Sequence, residues 1–578
     1  MRKIHPALIG ILIGAFTSFV NSYSYAVSGY TTSEISIVWI PILSLFIFKL
    51  LNVDYSVRDI VISFATAIGI DITTTLTSGM YITYGFLKNV AFRLKPFGFD
   101  VDVPKYLFNY GKSFIDLNAL PIYITLAIST LGGAFIAYSL RSHFLDKERL
   151  KYPIATASAV ITNLMKEFKV GRKFLLLIFA LGFATQMTFF IAGLSIDLTP
   201  VTSMFLPGSV FAISFTPIVF ALFLLLPLSS LRSFFMGSFL TYLVFIPIAI
   251  KLFSIPLIPS QTYDDMLFSV SPIVLGINVG FVITFLLYYL IKYWTQLAMS
   301  FSVILKFGTE RVAFAIGLSY IAFLGIIATV FAVYLKPINN IVFLAIILAL
   351  FLHLILIIGN LRVVGESGTG SQALFPLVTI VMYSLGVRNT MLYAVLDPYT
   401  GIPMPQTISA TTMNLLRYSR LNKVNAMETL KYFCLGVAIG SFITYTYGNL
   451  LVGIYGFNSP QMPLSKWIPT TVWMAAVYQG KLAMQSLSTI LFASLISILI
   501  IIFNRFIGLA LFPFLVGITL PPDIGFQILL AYIVKSIVVR FGPTFHERLI
   551  VGATIFMLGC AVALIANIIL ISLGVASP

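Results

Sequence analysis

The 578-residue chain has little charge, few cysteines and few histidines. Only 9% of its residues are charged and 59% are hydrophobic, whereas a soluble domain carries about 25% charged residues. That deficit excludes an ordinary soluble protein. The two cysteines, Cys434 and Cys560, lie inside apolar segments and offer neither a disulfide framework nor a zinc-ligand spacing. The four histidines are scattered, so we expect no structural metal site.

The common catalytic motifs are also missing. The sequence contains no GxSxG, no HExxH and no P-loop, which argues against a hydrolase and against an ATP-driven pump. The only adjacent acids, Asp264 and Asp265, fall in a predicted loop without a metal-binding partner motif. We therefore predict that the protein is not an enzyme and needs no cofactor. An intramembrane enzyme and a channel remain alternatives, because a pore can be lined by serine and threonine alone.

Long apolar runs dominate what is present. A spanning helix needs about 20 apolar residues, whereas barrel strands alternate over about 10, so the unbroken runs indicate helices. They predict an all-α polytopic membrane protein with about 14 to 16 transmembrane helices, some of them broken or re-entrant. The candidate spans are 7–28, 33–52, 57–87, 119–140, 173–193, 210–229, 231–253, 272–296, 312–335, 338–360, 371–396, 430–454, 484–504, 506–519, 524–540 and 549–575.

The net charge of +16 comes from short gaps between these runs. Lysine and arginine in such loops mark the cytoplasmic side of a membrane, so we expect no nucleic-acid partner. The basic clusters Arg2–Lys3, Arg141–Lys151, Lys166–Lys173 and Arg417–Lys431 predict a multi-pass protein of the cytoplasmic (inner) membrane. The N-terminus would be cytoplasmic and the first helix would remain uncleaved.

Two segments, 152–165 and 402–415, are too short to span a membrane and contain proline and hydroxyl groups. They share the pattern T-x-S-A-x-x-x-N-L. The matched pairs are Thr156 and Thr407, Ser158 and Ser409, Ala159 and Ala410, Asn163 and Asn414, and Leu164 and Leu415. Secondary transporters are often built from such repeats, with the substrate site where interrupted helices meet. The pattern predicts two related halves, 1–305 and 306–578, and favours a transporter.

These segments, with KIHPALIGILIGAF near the N-terminus, LKYPIATASAVITNLMKEF, IGNLRVVGESGTGSQALFPLVTIVMYSLG and YGFNSPQMPLSKW, give the chain its resemblance to a known family. It resembles the prokaryotic and yellow-stripe-like branch of the oligopeptide transporter family. The resemblance implies proton-driven symport of small peptides or metal chelates, and it leaves the oligomeric state open. The NPG and KIPPR motifs of the fungal and plant peptide branch are absent, which argues against long-peptide substrates.

Asp71 is the first candidate for proton coupling. It lies 14 residues into a predicted span, about 21 Å along a helix in a hydrocarbon core of about 30 Å. Thr74, Thr75 and Ser78 follow it at i+3, i+4 and i+7 and would share its face. An ionised carboxylate is costly at that depth, so Asp71 could take up a proton on one side and release it on the other. The alternative is a permanently protonated residue, or one bonded to hydroxyl groups between helices.

Glu366 is the second candidate. It lies in the glycine-rich stretch 365–370, and glycines that interrupt a helix free backbone groups beside a wet cavity. Glu366, Thr369 and Gln372 would then line that cavity. In the alternative interpretation, Glu366 lies at the membrane surface and pairs with Arg362 one turn back.

Asn163 and Asn414 could hydrogen-bond the peptide groups of a substrate. The alternative is that each ties two helices together, as polar residues in membrane bundles often do. Tyr393, Asp397 and Tyr399 fall near a predicted outer end of a span, where a loop is the favoured interpretation.

Overall fold

The structure is a computed structural model. It describes most of the chain. The described residues are 4–28, 36–95, 101–105, 107–108, 120–167, 172–193, 195–255, 262–304, 308–335, 340–367, 376–398, 401, 404–443, 445–457, 459, 461–464, 467–481 and 485–575.

Helices make up almost all of this structure. They are α1 (Pro6–Ser28), α2 (Ser36–Leu50), α3 (Val57–Leu94), α4 (Leu120–Ser142), α5 (Pro153–Glu167), α6 (Arg172–Ala192), α7 (Thr199–Phe205), α8 (Pro217–Leu225), α9 (Leu228–Leu240), α10 (Ile246–Phe253), α11 (Tyr263–Ile304), α12 (Gly308–Leu335), α13 (Asn340–Ser367), α14 (Pro376–Ser384), α15 (Thr390–Leu396), α16 (Pro405–Leu421), α17 (Ala426–Ile443), α18 (Thr446–Tyr455), α19 (Ile468–Tyr478), α20 (Gln485–Ile507), α21 (Leu511–Thr519), α22 (Pro522–Arg540) and α23 (Pro543–Ser572). Two short strands, β1 (Ser195–Asp197) and β2 (Ala212–Ser214), form an antiparallel pair.

The predicted all-α polytopic membrane architecture is confirmed. Among the described residues, eleven helices are long and apolar enough to cross a membrane, and α17 with α18 makes a twelfth if they are counted together across a 44° bend. This number is below the predicted 14 to 16. Four predicted spans account for the difference, because they form the short helix α2, the short helix α8, the pair α14 and α15, and the short helix α21.

Prolines and caps explain why these apolar runs are broken. The nine-residue α8 begins at Pro217 and is followed by Pro227, which cannot continue a helix. The α14–α15 run is interrupted before Asn389, whose side chain caps α15 by accepting from the amides of Met391 and Leu392. Hydropathy records the apolar character of such a run but not its local breaks.

Helix α3 occupies the centre of one group of helices. It packs chiefly against α1 and α17, while α4 packs against α12 and α16, and α6 packs against α23. Helices from before and after residue 305 therefore contact each other extensively. The division into two related halves stays a prediction.

One face of the bundle gathers the predicted cytoplasmic segments. Arg420 pairs with Asp146, which joins the two basic segments 141–151 and 417–431. The pair between Arg58 and Glu428 brings the start of α3 to the same region. The ring of His5 lies 5.9 Å from the ring of Tyr432. These contacts place the basic segments and the beginning of α1 on one side of the bundle, as the charge pattern requires; that this side is cytoplasmic stays a prediction.

A second set of contacts extends this face around the predicted loop 141–151. The Glu148 carboxylate contacts the His143 Nε2 atom at 2.7 Å and also pairs with Arg362. Arg141 reaches Glu310, at the start of α12, at 3.6 Å. The ends of α4, α12 and α13 are thereby joined by ion pairs.

Candidate functional site around Asp71

Helix α3 places Asp71 deep inside the bundle. The helix begins after Ser56, whose hydroxyl accepts from the amide of Asp59 while the Asp59 side chain bonds back to Ser56. This capping box fixes the first turn, and 14 residues at 1.5 Å then place Asp71 about 21 Å along the helix. The Asp71 side chain is fully buried.

Glycines allow α1 and α17 to approach α3 on two sides. A Cβ atom added at Gly10 or Gly14 of α1 would lie within 3.0 Å of α3 atoms, as would one at Gly440 of α17. A Cβ on Gly69 of α3 would in turn meet the backbone of α17. Small residues spaced in this way permit close backbone contact in membrane helices, so α3 is held between two neighbours.

The Asp71 carboxyl group bonds to its neighbour in α1. Asn21 Nδ2 lies 2.9 Å from both carboxyl oxygens of Asp71 and 2.6 Å from Ser36 Oγ. Ser36 begins α2 and also accepts from the indole of Trp39 at 3.3 Å. Asn21 therefore connects three helices through their side chains. No lysine, arginine or histidine forms an ion pair with Asp71 in the described part of the chain.

These neighbours can serve both forms of the acid. The amide hydrogens of Asn21 can donate to a carboxylate, and nearby hydroxyl oxygens such as that of Ser36 can accept a hydrogen bond from the O–H of a carboxylic acid. Asp71 therefore bonds between helices, both to the Asn21 amide and to the hydroxyl groups of the alternative interpretation, among them that of Ser36. This bonding does not exclude proton transfer, because the same contacts can persist in either form.

The predicted polar face of α3 divides between two neighbours. Thr74 Oγ1 donates to the carbonyl oxygen of Gly440 at 3.4 Å and so faces α17, whereas Asp71 faces α1. Thr75 and Ser78 are buried. The Thr75 hydroxyl interacts with the Asp71 carboxyl group, whereas the Ser78 hydroxyl has no hydrogen-bond partner in the described structure. In contrast, Thr77 donates to the carbonyl of its own helix at 2.8 Å. Buried polar atoms without partners are uncommon, which marks Ser78 as a place where water or a ligand can bind.

The two similar short segments form helices that pack against each other. They are α5 and α16, 15 and 17 residues long. Their matched asparagines differ in environment, because Asn163 is exposed and Asn414 is buried. Neither side-chain nitrogen nor side-chain oxygen of Asn414 has a hydrogen-bond partner among the described residues.

Asn414 belongs to a row of polar groups on α16. Thr407 and Thr411 precede it by seven and three residues, which places all three on one helical face. Each is at most 1% exposed, and the hydroxyls of both threonines also have no partner in the described structure. Near the other end of α16, the ring of Tyr418 lies 5.0 Å from that of Phe64 in α3. The row is therefore a second candidate surface for a polar ligand.

Three predicted residues lie outside what the structure describes. The backbone of Glu366 belongs to α13, but its side chain is not among the described ones, and Thr369 and Gln372 fall in the gap 368–375. Arg362, the proposed ion-pair partner of Glu366, contacts Glu148. The predictions for Glu366, Thr369 and Gln372 stay open.

Sequence reasoning missed the burial of several charged residues, among them Asp397, Asp523 and Lys535. Asp397, which we assigned to a loop, directly follows α15 and accepts from Thr379 Oγ1 at 2.8 Å. Asp523 lies in the first turn of α22 and accepts from Tyr263 and Ser214, and Lys535 lies further along α22. The charge of Lys535 inside the apolar run 524–540 was a visible signal. Among the buried aspartates of the described residues, Asp71 alone lies in the middle of a helix rather than at an end.

No protein-family model matches this sequence. A comparison with curated proteins also gives no match.

Proposed function

We propose that this protein is a secondary active transporter in which Asp71 carries the coupling proton. The observation that supports this most directly is a fully buried carboxyl in the middle of α3, bonded to the neutral amide of Asn21. Ionisable residues inside membrane helices are costly and usually mark ion or proton pathways. The eleven candidate spans supply the membrane domain that this role requires.

The substrate class in this proposal is a small peptide or a metal chelate. The support comes from the sequence resemblance and from the unpaired groups on α16. The amide of Asn414 offers both donors and an acceptor, and the hydroxyls of Thr407 and Thr411 can donate or accept. Such groups match the amides and carboxylates of peptides and chelators. We assign the row on α16 to the substrate path, with the proton site on α3.

The test of function is uptake into proteoliposomes under an imposed pH gradient, with a panel of short peptides and iron chelates. One coupled proton can support about a tenfold accumulation of a neutral substrate per pH unit, since one unit is worth about 1.4 kcal/mol. Asp71→Asn keeps the size and hydrogen bonding of the side chain but removes its titration. We expect this variant to lose accumulation and to retain exchange of labelled substrate.

The matched control is Asp59→Asn, the same change on the same helix. Asp59 accepts from Ser56 N and Oγ at the first turn, and asparagine can still accept those bonds. This variant should accumulate substrate like the wild type. If Asp71→Asn also accumulates substrate at the wild-type rate, Asp71 is structural and Glu366 becomes the next candidate. Flux that only runs downhill in the wild type would indicate a channel.

The repeat supplies a second matched pair for the substrate path. Asn414→Leu removes the buried amide, and we expect the KM for transport to rise. Asn163→Leu changes the equivalent but exposed position and should leave KM within about twofold, as for a surface change of about 0.5 kcal/mol. Equal effects of the two variants on KM would remove α16 from the substrate path.

A further inference from the structure

Lys535 is a buried cation that neither the sequence interpretation nor the proposed transport cycle uses. It lies in the second half of α22 with 3% of its surface exposed. Its Nζ atom donates to the carbonyl oxygen of Leu224 at 2.9 Å and to that of Leu226 at 2.6 Å. In the described part of the chain, no aspartate or glutamate forms an ion pair with it.

The two carbonyls belong to the C-terminal end of the broken helix α8. This helix has nine residues, about 13 Å of length, and Leu226 is extended before Pro227. The last carbonyls of a helix have no partner within it and carry the negative end of the helix dipole. They converge on a single nitrogen here.

Helix α22 serves both ends of α8 with groups of the matching polarity. At the beginning of α8, Gln527 Oε1 accepts from the amide of Thr216 at 3.2 Å. At its end, Lys535 supplies the positive charge. The separation of eight positions from Gln527 to Lys535 corresponds to about 12 Å along α22, close to the length of α8. Helix α22 therefore provides hydrogen-bonding partners for both ends of α8.

We propose that the C-terminal carbonyls of α8 form a monovalent-cation site that the protein fills with its own Lys535 ammonium group. In transporters with interrupted helices, the C-terminal ends of half-helices and unwound carbonyls coordinate a free Na⁺. Here the cation is tethered to α22. Removal of the lysine side chain therefore leaves a vacant site of the right charge for Na⁺ or for a small alkylammonium ion.

The experiment measures thermal unfolding of the purified full-length protein in detergent, so it does not depend on transport. We expect Lys535→Ala to lower the Tm. Ethylammonium or Na⁺ should restore much of this loss in a saturable way, whereas choline at equal ionic strength should not. The wild type should show no such specific response. Lys251→Ala is the matched control, because Lys251 is exposed in the last turn of α10, and it should behave like the wild type.

Two further variants decide the case if Lys535→Ala fails to fold. Lys535→Arg keeps the charge and the donors, whereas Lys535→Gln keeps donors and loses the charge. We expect the arginine variant to have the higher Tm of the two. A glutamine variant as stable as the wild type would refute the proposal, as would a folded alanine variant that responds equally to ethylammonium, Na⁺ and choline.

Discussion

The close contact between α3 and α17 gives a prediction whose sign can be worked out from the structure. Gly436 lies on α17 and faces α3. A Cβ atom added there would contact the carbonyl oxygen of Thr66 and would lie 3.0 Å from its carbonyl carbon and 3.1 Å from the Cα atom of Gly69. Carbon atoms in proteins normally approach to about 3.5–4.0 Å. The contact with the carbonyl oxygen of Thr66 is the tightest of the three, so Gly436→Ala forces α17 away from α3 by about one ångström.

Two terms of opposite sign set the magnitude. Overpacking in a well-packed interior costs about 1–3 kcal/mol. Replacing glycine by alanine inside a helix returns about 0.5–1 kcal/mol. We expect Gly436→Ala to lower the free energy of unfolding by up to about 2.5 kcal/mol, the difference between these two terms.

Gly453 provides the matched control. It lies within α18, and no atom comes within 4 Å of the Cβ position. Gly453→Ala keeps only the favourable helix term and should stabilise the protein by about 0.5–1 kcal/mol. The two identical substitutions therefore have opposite expected signs.

The assay is denaturant unfolding of both variants in the same detergent, followed by uptake in proteoliposomes. Gly436→Ala should also reduce gradient-driven uptake, because the disturbed contact includes Gly69 of α3, two residues before Asp71. A Gly436→Ala variant as stable as Gly453→Ala would refute the described approach of α17 to α3.

Three further predictions concern the proton site, the topology and the energy source. Asn21→Ala leaves the Asp71 carboxyl without its amide partner. We expect the free energy of unfolding to fall by about 1 kcal/mol, the usual scale for such bonds in membrane proteins. A double-mutant cycle with Asp71→Asn would measure this interaction energy. In a cysteine-free background, Lys147→Cys, at an exposed position, should resist an impermeant thiol reagent in intact cells and react after permeabilisation. Asp265→Cys, also at an exposed position, should react from outside. External labelling at Lys147→Cys would reverse the predicted orientation. An uncoupler should collapse uptake in cells and ATP should not restore it in vesicles, while uptake driven by sodium alone, without a pH effect, would contradict proton coupling.

Much of the candidate site could be predicted because it lies within one helix. The depth of Asp71 and its spacing from Thr75 and Ser78 follow from a continuous apolar run and from helix geometry, and the structure places all three in the buried interior. Thr74 is buried as well, but its hydroxyl donates to α17, whereas Asp71 bonds to α1. Neighbours on both sides of α3 divide its polar groups, and the sequence of α3 contains no information about where α1 and α17 pack.

The repeated motif shows the same limit. The pattern T-x-S-A-x-x-x-N-L predicts two short helices of similar character, and both α5 and α16 exist. It cannot predict that Asn163 is exposed while Asn414 is buried and has no hydrogen-bond partner among the described residues. That difference depends on which helices cover each copy.

The sequence by itself determined that this is an all-helical membrane protein. The bilayer requires apolar side chains and internally satisfied backbone hydrogen bonds along each spanning segment, and both are local properties of that segment. Tertiary structure alone decided which polar groups meet. Asn21 and Asp71 are 50 residues apart in the chain, and Lys535 and Leu224 are 311 apart. The physical reason is that the bilayer selects helices one segment at a time, whereas glycine contacts, helix breaks and buried hydrogen bonds select their partners only after the helices have packed.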